Sequence, residues 1–360
     1  MIRKTIFTAA TLYCSVFAGT TQAETVRIGL LLPYSGIGAE FGEQIERGFQ
    51  LYFKLHPEAL GDHTVEMVRR DTKRPGGDVA RTSAQDLILN EKVQVLAGFE
   101  TSPDAIAVAP IATSAKVPMI VLNAATAWLP NLSPYMVRLS RTMWQSSYPL
   151  GEYAAKSLEC GTAVIGYTDY PPGKDGHDAF KLAYEQAGGK VLESLPMGSP
   201  AQVPDFTPFY QRVRAARPDC FYVFIPGGNH VPAALKTYAD LNMRQEGIKL
   251  IGPGDLVQDT KMREVGDAAL GVVSVMDYSP DHDTPENRSF LTAWREAYGE
   301  DSVPEFMAVY GYDGAAAIAH AIKSTDGTMD PDRVIESLKG WGYVSPRGEI
   351  RIDPETRDVV

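Results

Sequence analysis

Two hydroxyls, Ser102 and Thr126, each close a short apolar run. Ser102 follows Val93-Gln94-Val95-Leu96-Ala97 and a Gly98-Phe99-Glu100-Thr101 turn, and Thr126 ends a run from Val117 to Leu122 through Asn123-Ala124-Ala125. A serine at the start of a helix offers its own hydroxyl and sits beside backbone N–H groups that no helical carbonyl reaches, a combination suited to a carboxylate. The same serine could act only as a helix cap. Catalytic chemistry finds little support. Gly-x-Ser-x-Gly and His-Glu-x-x-His are absent, and the six histidines are dispersed without an evident base–nucleophile pair. Gly36, Gly38 and Gly42 form a glycine-rich turn, but their spacing is one residue longer than a phosphate-binding fingerprint. Phe41 inside that turn suits an apolar ligand better than a pyrophosphate. An exported nucleotide-dependent enzyme is therefore the rival reading rather than the leading one.

The elements that must position these residues follow from apolar periodicity. Ala105, Val108, Ala109 and Ala112 recur at helical spacing between the two hydroxyls, with a strand on either side. Strand, helix, strand is a βαβ unit, and its parallel strands end on one sheet edge, where open α/β sheets hold small ligands. The alternation begins at Thr25–Leu32, breaks at 33–42 and continues into a helix with Ile45, Gly48, Phe49, Tyr52 and Phe53 inward. It starts again after Arg141, with a helix over 148–158, a strand over 163–167, a loop over 169–176 and a helix over 177–187. Strands at 191–195, 220–225, 249–251 and 271–276 follow, with helices at 206–216 and 231–241 between them. After a return crossing near Asp277-Tyr278, helices are expected over 287–298, 307–324 and 331–338, and 342–358 has hairpin character.

Composition bounds the rest. Arg3 and Lys4, an apolar run from Ile6 to Ala18 and Thr21-Gln22-Ala23 read as a secretory signal peptide, 1–23, cleaved before Glu24. Without it, 32 basic residues face 45 acidic ones, a net charge of −13, which argues against nucleic acid or anionic lipid as a partner. The remaining length suits two domains of about 150 residues. Cys160 and Cys220 each lie at or just before a strand; two buried free thiols are the expectation, with a bridge the alternative open to an oxidising compartment. No histidine pair lies near either one, so no metal site is expected there.

In this order, Ile28-Gly29-Leu30-Leu31-Leu32-Pro33-Tyr34-Ser35-Gly36 with Gly42, Leu96-Ala97-Gly98 with Ser102, Asn123-Ala124-Ala125-Thr126 and Gly266-Asp267-Ala268-Ala269-Leu270-Gly271-Val272 resemble the type I periplasmic solute-binding proteins of ABC transporters, in the branch that takes branched-chain amino acids. The likeness covers nearly the whole chain after the signal. It implies an α/β fold of two Rossmann-like lobes with parallel sheets, joined by three hinge crossings and closing on a ligand. The expected lobes are 24–141 plus 278–345 and 142–277 plus 346–360. It further implies a monomer in the periplasm, without a cofactor, that hands a small carboxylate to membrane permease subunits.

Carried onto this chain, the family site would use Ser102 and Ala124, Ala125 and Thr126 for the carboxylate and Phe41 for the apolar part. Tyr170 and Gly227 would form the far wall, and Asp255 would pair with an α-ammonium. The family's second-lobe tyrosine is replaced by Gly227 or Gly228, and Asp255 is shifted by about one residue from the usual glutamate. The leading expectation is thus a branched-chain or other hydrophobic amino acid. Relatives with a similar Asn-Ala-Ala-Thr turn make an aromatic carboxylate without an ammonium the alternative, and a ligand-sensing receptor subunit shares the fold. Arg138 and Arg141 are expected to pair with acids near the hinge. Such proteins commonly carry one more strand into the second lobe; with the sequence ending at Val360, the expectation is that this strand is missing or the chain truncated.

Overall fold

A computed structural model describes residues 24–73 and 76–360; the expected signal peptide lies outside the described residues. The first lobe runs β1 (Thr25–Leu32), α1 (Ala39–Leu55), β2 (Thr64–Asp71), α2 (Asp78–Leu89), β3 (Val95–Gly98), α3 (Ser102–Ala115), β4 (Met119–Val121) and β5 (Met136–Arg138). The second runs α4 (Met143–Lys156), β6 (Thr162–Tyr167), α5 (Pro171–Gln186), β7 (Lys190–Pro196), α6 (Thr207–Ala216), β8 (Cys220–Phe224), α7 (His230–Asp240), β9 (Lys249–Pro253), α8 (Asp259–Val265) and β10 (Val273–Val275). The chain then returns through α9 (Pro285–Tyr298), α10 (Phe306–Thr325), α11 (Pro331–Leu338) and a hairpin of β11 (Gly342–Ser345) and β12 (Gly348–Arg351).

Each lobe holds a five-stranded sheet whose neighbouring strands are parallel, in the orders β2-β1-β3-β4-β5 and β7-β6-β8-β9-β10. This is the two-lobed α/β fold that the strand–helix alternation implies. Helices cover both faces, so the central strands are buried on both sides and read as apolar runs rather than alternating ones. On the first sheet, one face packs Ile28, Leu30 and Ile120 against α1 and α10, and the other packs Leu31, Leu96 and Val121 against α2 and α3. Both strand orders reverse at one place, between β1 and β3 and between β6 and β8. The loops leaving the strand ends there open a crevice, which is where such sheets accommodate ligands.

Three expectations need correction. Residues 346–360 pack on the first lobe, not the second: Ile350, Ile352 and Val359 belong to its core, and Asp358 bridges to Arg138 of β5. The hairpin tip only touches the hinge, where Arg347 donates to Leu139 O and pairs with Asp277 and Asp313. The chain itself passes between lobes near 139–142 and 276–278. Residues 171–176, expected as loop, are the first turns of α5, because proline at a helix's first positions forfeits no intrahelical bond. Cys160 and Cys220 form a disulfide, with Cα atoms 5.8 Å apart. Closing a segment of 60 residues, it stabilises by about 4 kcal/mol on the chain-entropy account.

Candidate ligand-binding site

The crevices of the two sheets face each other across a cleft of about 690 Å³, counting all space between its walls and the solvent at its mouth. From the first lobe come the loop after β1, with Pro33 and Ile37, the first turn of α1, with Phe41, and the turn after β3, with Glu100, Thr101 and Ser102. From the second come Tyr170 and Pro172 after β6, Phe224 at the end of β8 and Pro226 after it, and Asp255 after β9. Arg141 and Met143, where the chain changes lobes, form the floor. Both lobes therefore supply the wall, the first more of it than the second.

Local sequence explains these placements. A Cβ at Gly42 would fall 1.9 Å from Pro33 O, so glycine there lets the first turn of α1 lie on the β1 loop and aims Phe41 at the cleft. Phe99 holds a left-handed φ of 62°, and its backbone is pinned on both sides: its N–H donates to Leu31 O at 2.9 Å, and its carbonyl accepts from Ala124 N–H at 2.9 Å. That turn delivers Glu100 and Ser102 to the sheet edge. Thr101 stands at the position before α3 without a side-chain capping bond, and Ser102 is the first helical residue.

Of the residues singled out in the sequence, Phe41, Ser102, Ala125, Tyr170 and Asp255 line the cleft. Ala124, Thr126 and Gly227 stand just behind it. Thr126 N–H donates to Ser102 Oγ at 3.2 Å, and the Thr126 hydroxyl is buried with no partner among the described residues. With Oγ already accepting, the Ser102 hydroxyl keeps its own hydrogen to donate. Gly227, at φ +78°, makes room for Phe41, since a Cβ there would sit 2.8 Å from the ring. Tyr170 stacks on Phe224, ring centroids 5.9 Å apart, and burial pushes its phenol well above the ordinary range, so it stays neutral.

Behind the Ala124–Thr126 turn, the fully buried Arg138 donates to the carbonyls of Ala124 (3.1 Å), Thr126 (2.6 Å) and Ala127 (3.1 Å), and pairs with Asp358 at 2.7 Å. The amides of Ala124, Thr126 and Ala127 are likewise taken, by Phe99 O, Ser102 Oγ and Asp175, so the turn is fixed through both its carbonyls and its N–H groups. Arg141 pairs with Asp255 inside the cleft. Burial would draw this guanidinium down, but the adjacent carboxylate more than offsets that and holds it protonated. The Arg141 Nε is buried without a partner among the described residues.

Sequence reading did not single out Glu100, Asp104, Asn123 or Phe224. Asp104 accepts from Gly77 N–H at 3.1 Å, and burial pushes it up to about 6. Asn123 donates to Glu100 O at 2.8 Å. Burial, then repulsion from Asp104 and Asp255, pushes Glu100 up to about 8. A charged residue in the turn leading to Ser102 was the available clue to it.

The lobes also touch outside the cleft. Ala127 N–H donates to Asp175 at 2.8 Å, Lys261 pairs with Glu40 at 2.6 Å, and Glu305 accepts from Thr260 N–H at 2.9 Å and Gln258 Nε2 at 3.1 Å. These bonds hold the lobes in a closed arrangement.

A family model described as periplasmic binding protein matches residues 25–360. The chain is 38% identical over 359 residues to the Leu/Ile/Val-binding protein homolog 6 of Brucella melitensis, covering 99% of this chain and 91% of that one. A solute binding protein of an ABC transporter from Rhodopseudomonas palustris BisB5, solved with 3,4-dihydroxybenzoic acid, superposes with a TM-score of 0.87 at 40% identity, covering 93% of this chain and 91% of that one. One from R. palustris HaA2, solved with p-hydroxybenzoic acid, gives 0.88 at 38% identity, covering 93% and 90%. With a matching model over the whole described length and two lobes meeting at their ligand-bearing edges, the chain belongs to the periplasmic binding proteins.

Proposed function

We propose that this protein captures a small aromatic carboxylate between its lobes and, as the exported solute-binding component of an ABC importer, delivers it to membrane permease subunits. The observation that carries this reading is the Arg141–Asp255 ion pair. An α-ammonium would need an ionised partner; the carboxylate expected to serve it is already paired with a guanidinium, and burial pushes the other acids of the cleft, Glu100 and Asp104, toward their neutral forms. An aromatic acid has no ammonium to satisfy. Phe41, Tyr170 and Phe224 offer it flat apolar walls, and ring–ring contacts of this kind add to the area they bury. Its carboxylate would lie at the first turn of α3, accepting from the Ser102 hydroxyl and from N–H groups that the helix leaves without acceptors. Two similar proteins solved with hydroxybenzoic acids support the same class of ligand.

The second reading, a hydrophobic amino acid, draws on Asp255 lying in the cleft and on the name of the Brucella relative. A thermal-shift screen separates the two, because a ligand that binds the folded state raises the apparent Tm by mass action. Benzoate and its hydroxylated derivatives should raise Tm while leucine, isoleucine and valine leave it unchanged; the reverse pattern would reject the aromatic reading. Should amino acids bind, Asp255→Asn tells whether the ammonium is recognised there: it should abolish their binding and spare a des-amino analogue.

A further inference from the structure

Glu100 stands apart from the other acids of the cleft. Asp255 is paired with Arg141, and Asp104 accepts a backbone N–H from Gly77. The Glu100 carboxyl has neither an ion pair nor a hydrogen bond among the described residues, although its own backbone is tied down through Asn123. One of its oxygens lies 3.5 Å from where a Cβ at Gly38 would sit, so it reaches across the first lobe's wall toward the loop after β1. The pinned turn at Phe99 fixes that direction. A carboxyl held in a cleft without a partner leaves hydrogen-bonding capacity that a ligand can meet, and a site built around such a group discriminates strongly against ligands lacking the matching polar atom.

The ligand carboxylate is already assigned to Ser102 and the first turn of α3, so the group left to meet Glu100 is one further along the ring. A neutral hydroxyl does fit, since it both donates and accepts. We propose that Glu100 receives the ring hydroxyl of an aromatic acid and so sets a preference for hydroxylated over unsubstituted benzoates. This rests on the aromatic-acid reading of the cleft and adds to it the group that chooses among such acids.

The test is calorimetric titration of the full chain with 4-hydroxybenzoate and with benzoate, for the unsubstituted protein and for Glu100→Gln, Glu100→Leu and Glu100→Ala. The unsubstituted protein should prefer 4-hydroxybenzoate by roughly 10-fold or more, the effect of one buried hydrogen bond to an ionisable group. Glu100→Gln, which keeps a donor and an acceptor in the same place, should retain most of that ratio. Glu100→Leu, which fills the space with an apolar group, and Glu100→Ala should bring the two affinities within about threefold of each other. Circular dichroism and a cooperative unfolding transition certify that each variant is folded; if the alanine variant does not fold, the leucine variant carries the comparison. A ratio that survives Glu100→Leu would overturn the assignment while leaving the aromatic-acid reading intact. Binding of neither acid by the unsubstituted protein would instead remove that reading, and this assignment with it.

Discussion

Arg138 shows how a residue outside the cleft shapes it. Its guanidinium is fully buried, carries one ionic partner, Asp358, and spends its other donors on the carbonyls of the Ala124–Ala127 turn. Removing one member of a buried pair leaves the other charge uncompensated, at a cost of about 3–5 kcal/mol. Asp358→Ala should therefore lower stability to chemical denaturation by about that much; a loss under about 1 kcal/mol would show the turn to be held by other means. Glu100 makes a different demand. Its folded-state carboxyl, raised to about 8 against an ordinary 4.5, binds its proton more tightly than the unfolded chain does. That contribution to stability is present in full below about pH 4.5 and is lost as pH rises toward 8. Glu100→Gln removes the loss, so its Tm relative to the unsubstituted protein should climb between pH 5 and pH 9 by about 2 °C or more. A pH-independent difference would mean that Glu100 does not titrate in this window. The sequence leads to an acid as the partner of Arg138 but not to which one, since Asp358 lies 220 residues away, and it does not show that Glu100 meets no side-chain partner among the described residues.

At the scale of elements, close approach governs. In the contact between α1 and α10, a Cβ at Gly48 would fall 1.8 Å from Ala308 O and one at Gly311 1.9 Å from Ile45 O, so the two helix backbones nearly touch. Gly48→Ala would gain helix propensity of about 1 kcal/mol but must force the helices apart. Overpacking should win, with a net loss of about 1–3 kcal/mol in equilibrium unfolding; a stabilised variant would show that the pair can slide. Much of this layer is legible in sequence. The parallel strands around Leu96 and Ile120 read as apolar runs because helices cover both faces, and the small residues of α3 mark the helix between them. The start of α5 was misread because Pro171, Pro172, Gly173 and Gly176 look like helix breakers. In the structure the prolines occupy the first turn, while Gly173 and Gly176 sit where a Cβ would meet Thr168 O at 1.9 Å and the Tyr222 hydroxyl at 2.8 Å. Their reason is tertiary contact, which local pattern does not carry. Residues 346–360 pack on the first lobe rather than the second for the same cause.

For the whole molecule, the two lobes repeat one strand order and present the same sheet edge to each other, so a ligand held by one is completed by the other. Contacts beyond the cleft add to closure. Glu305, at the start of α10, accepts from Thr260 N–H and Gln258 of the second lobe, and Gln258 in turn accepts from Gly228 N–H beside Phe41. Glu305→Ala should weaken ligand binding by roughly tenfold although Glu305 is not among the residues assigned to hold the ligand, because part of the stabilisation of the closed state is lost. Small-angle scattering should then show the ligand-saturated variant more open than the unsubstituted protein at equal saturation; identical profiles would exclude a role in closure. The central claim concerns what the closed cleft holds, and isothermal titration with 4-hydroxybenzoate and with leucine tests it most directly. One site per chain for 4-hydroxybenzoate, with a Kd of about 10 μM or tighter, and no heat from leucine is the predicted result. Tight binding of leucine with none of 4-hydroxybenzoate would contradict it.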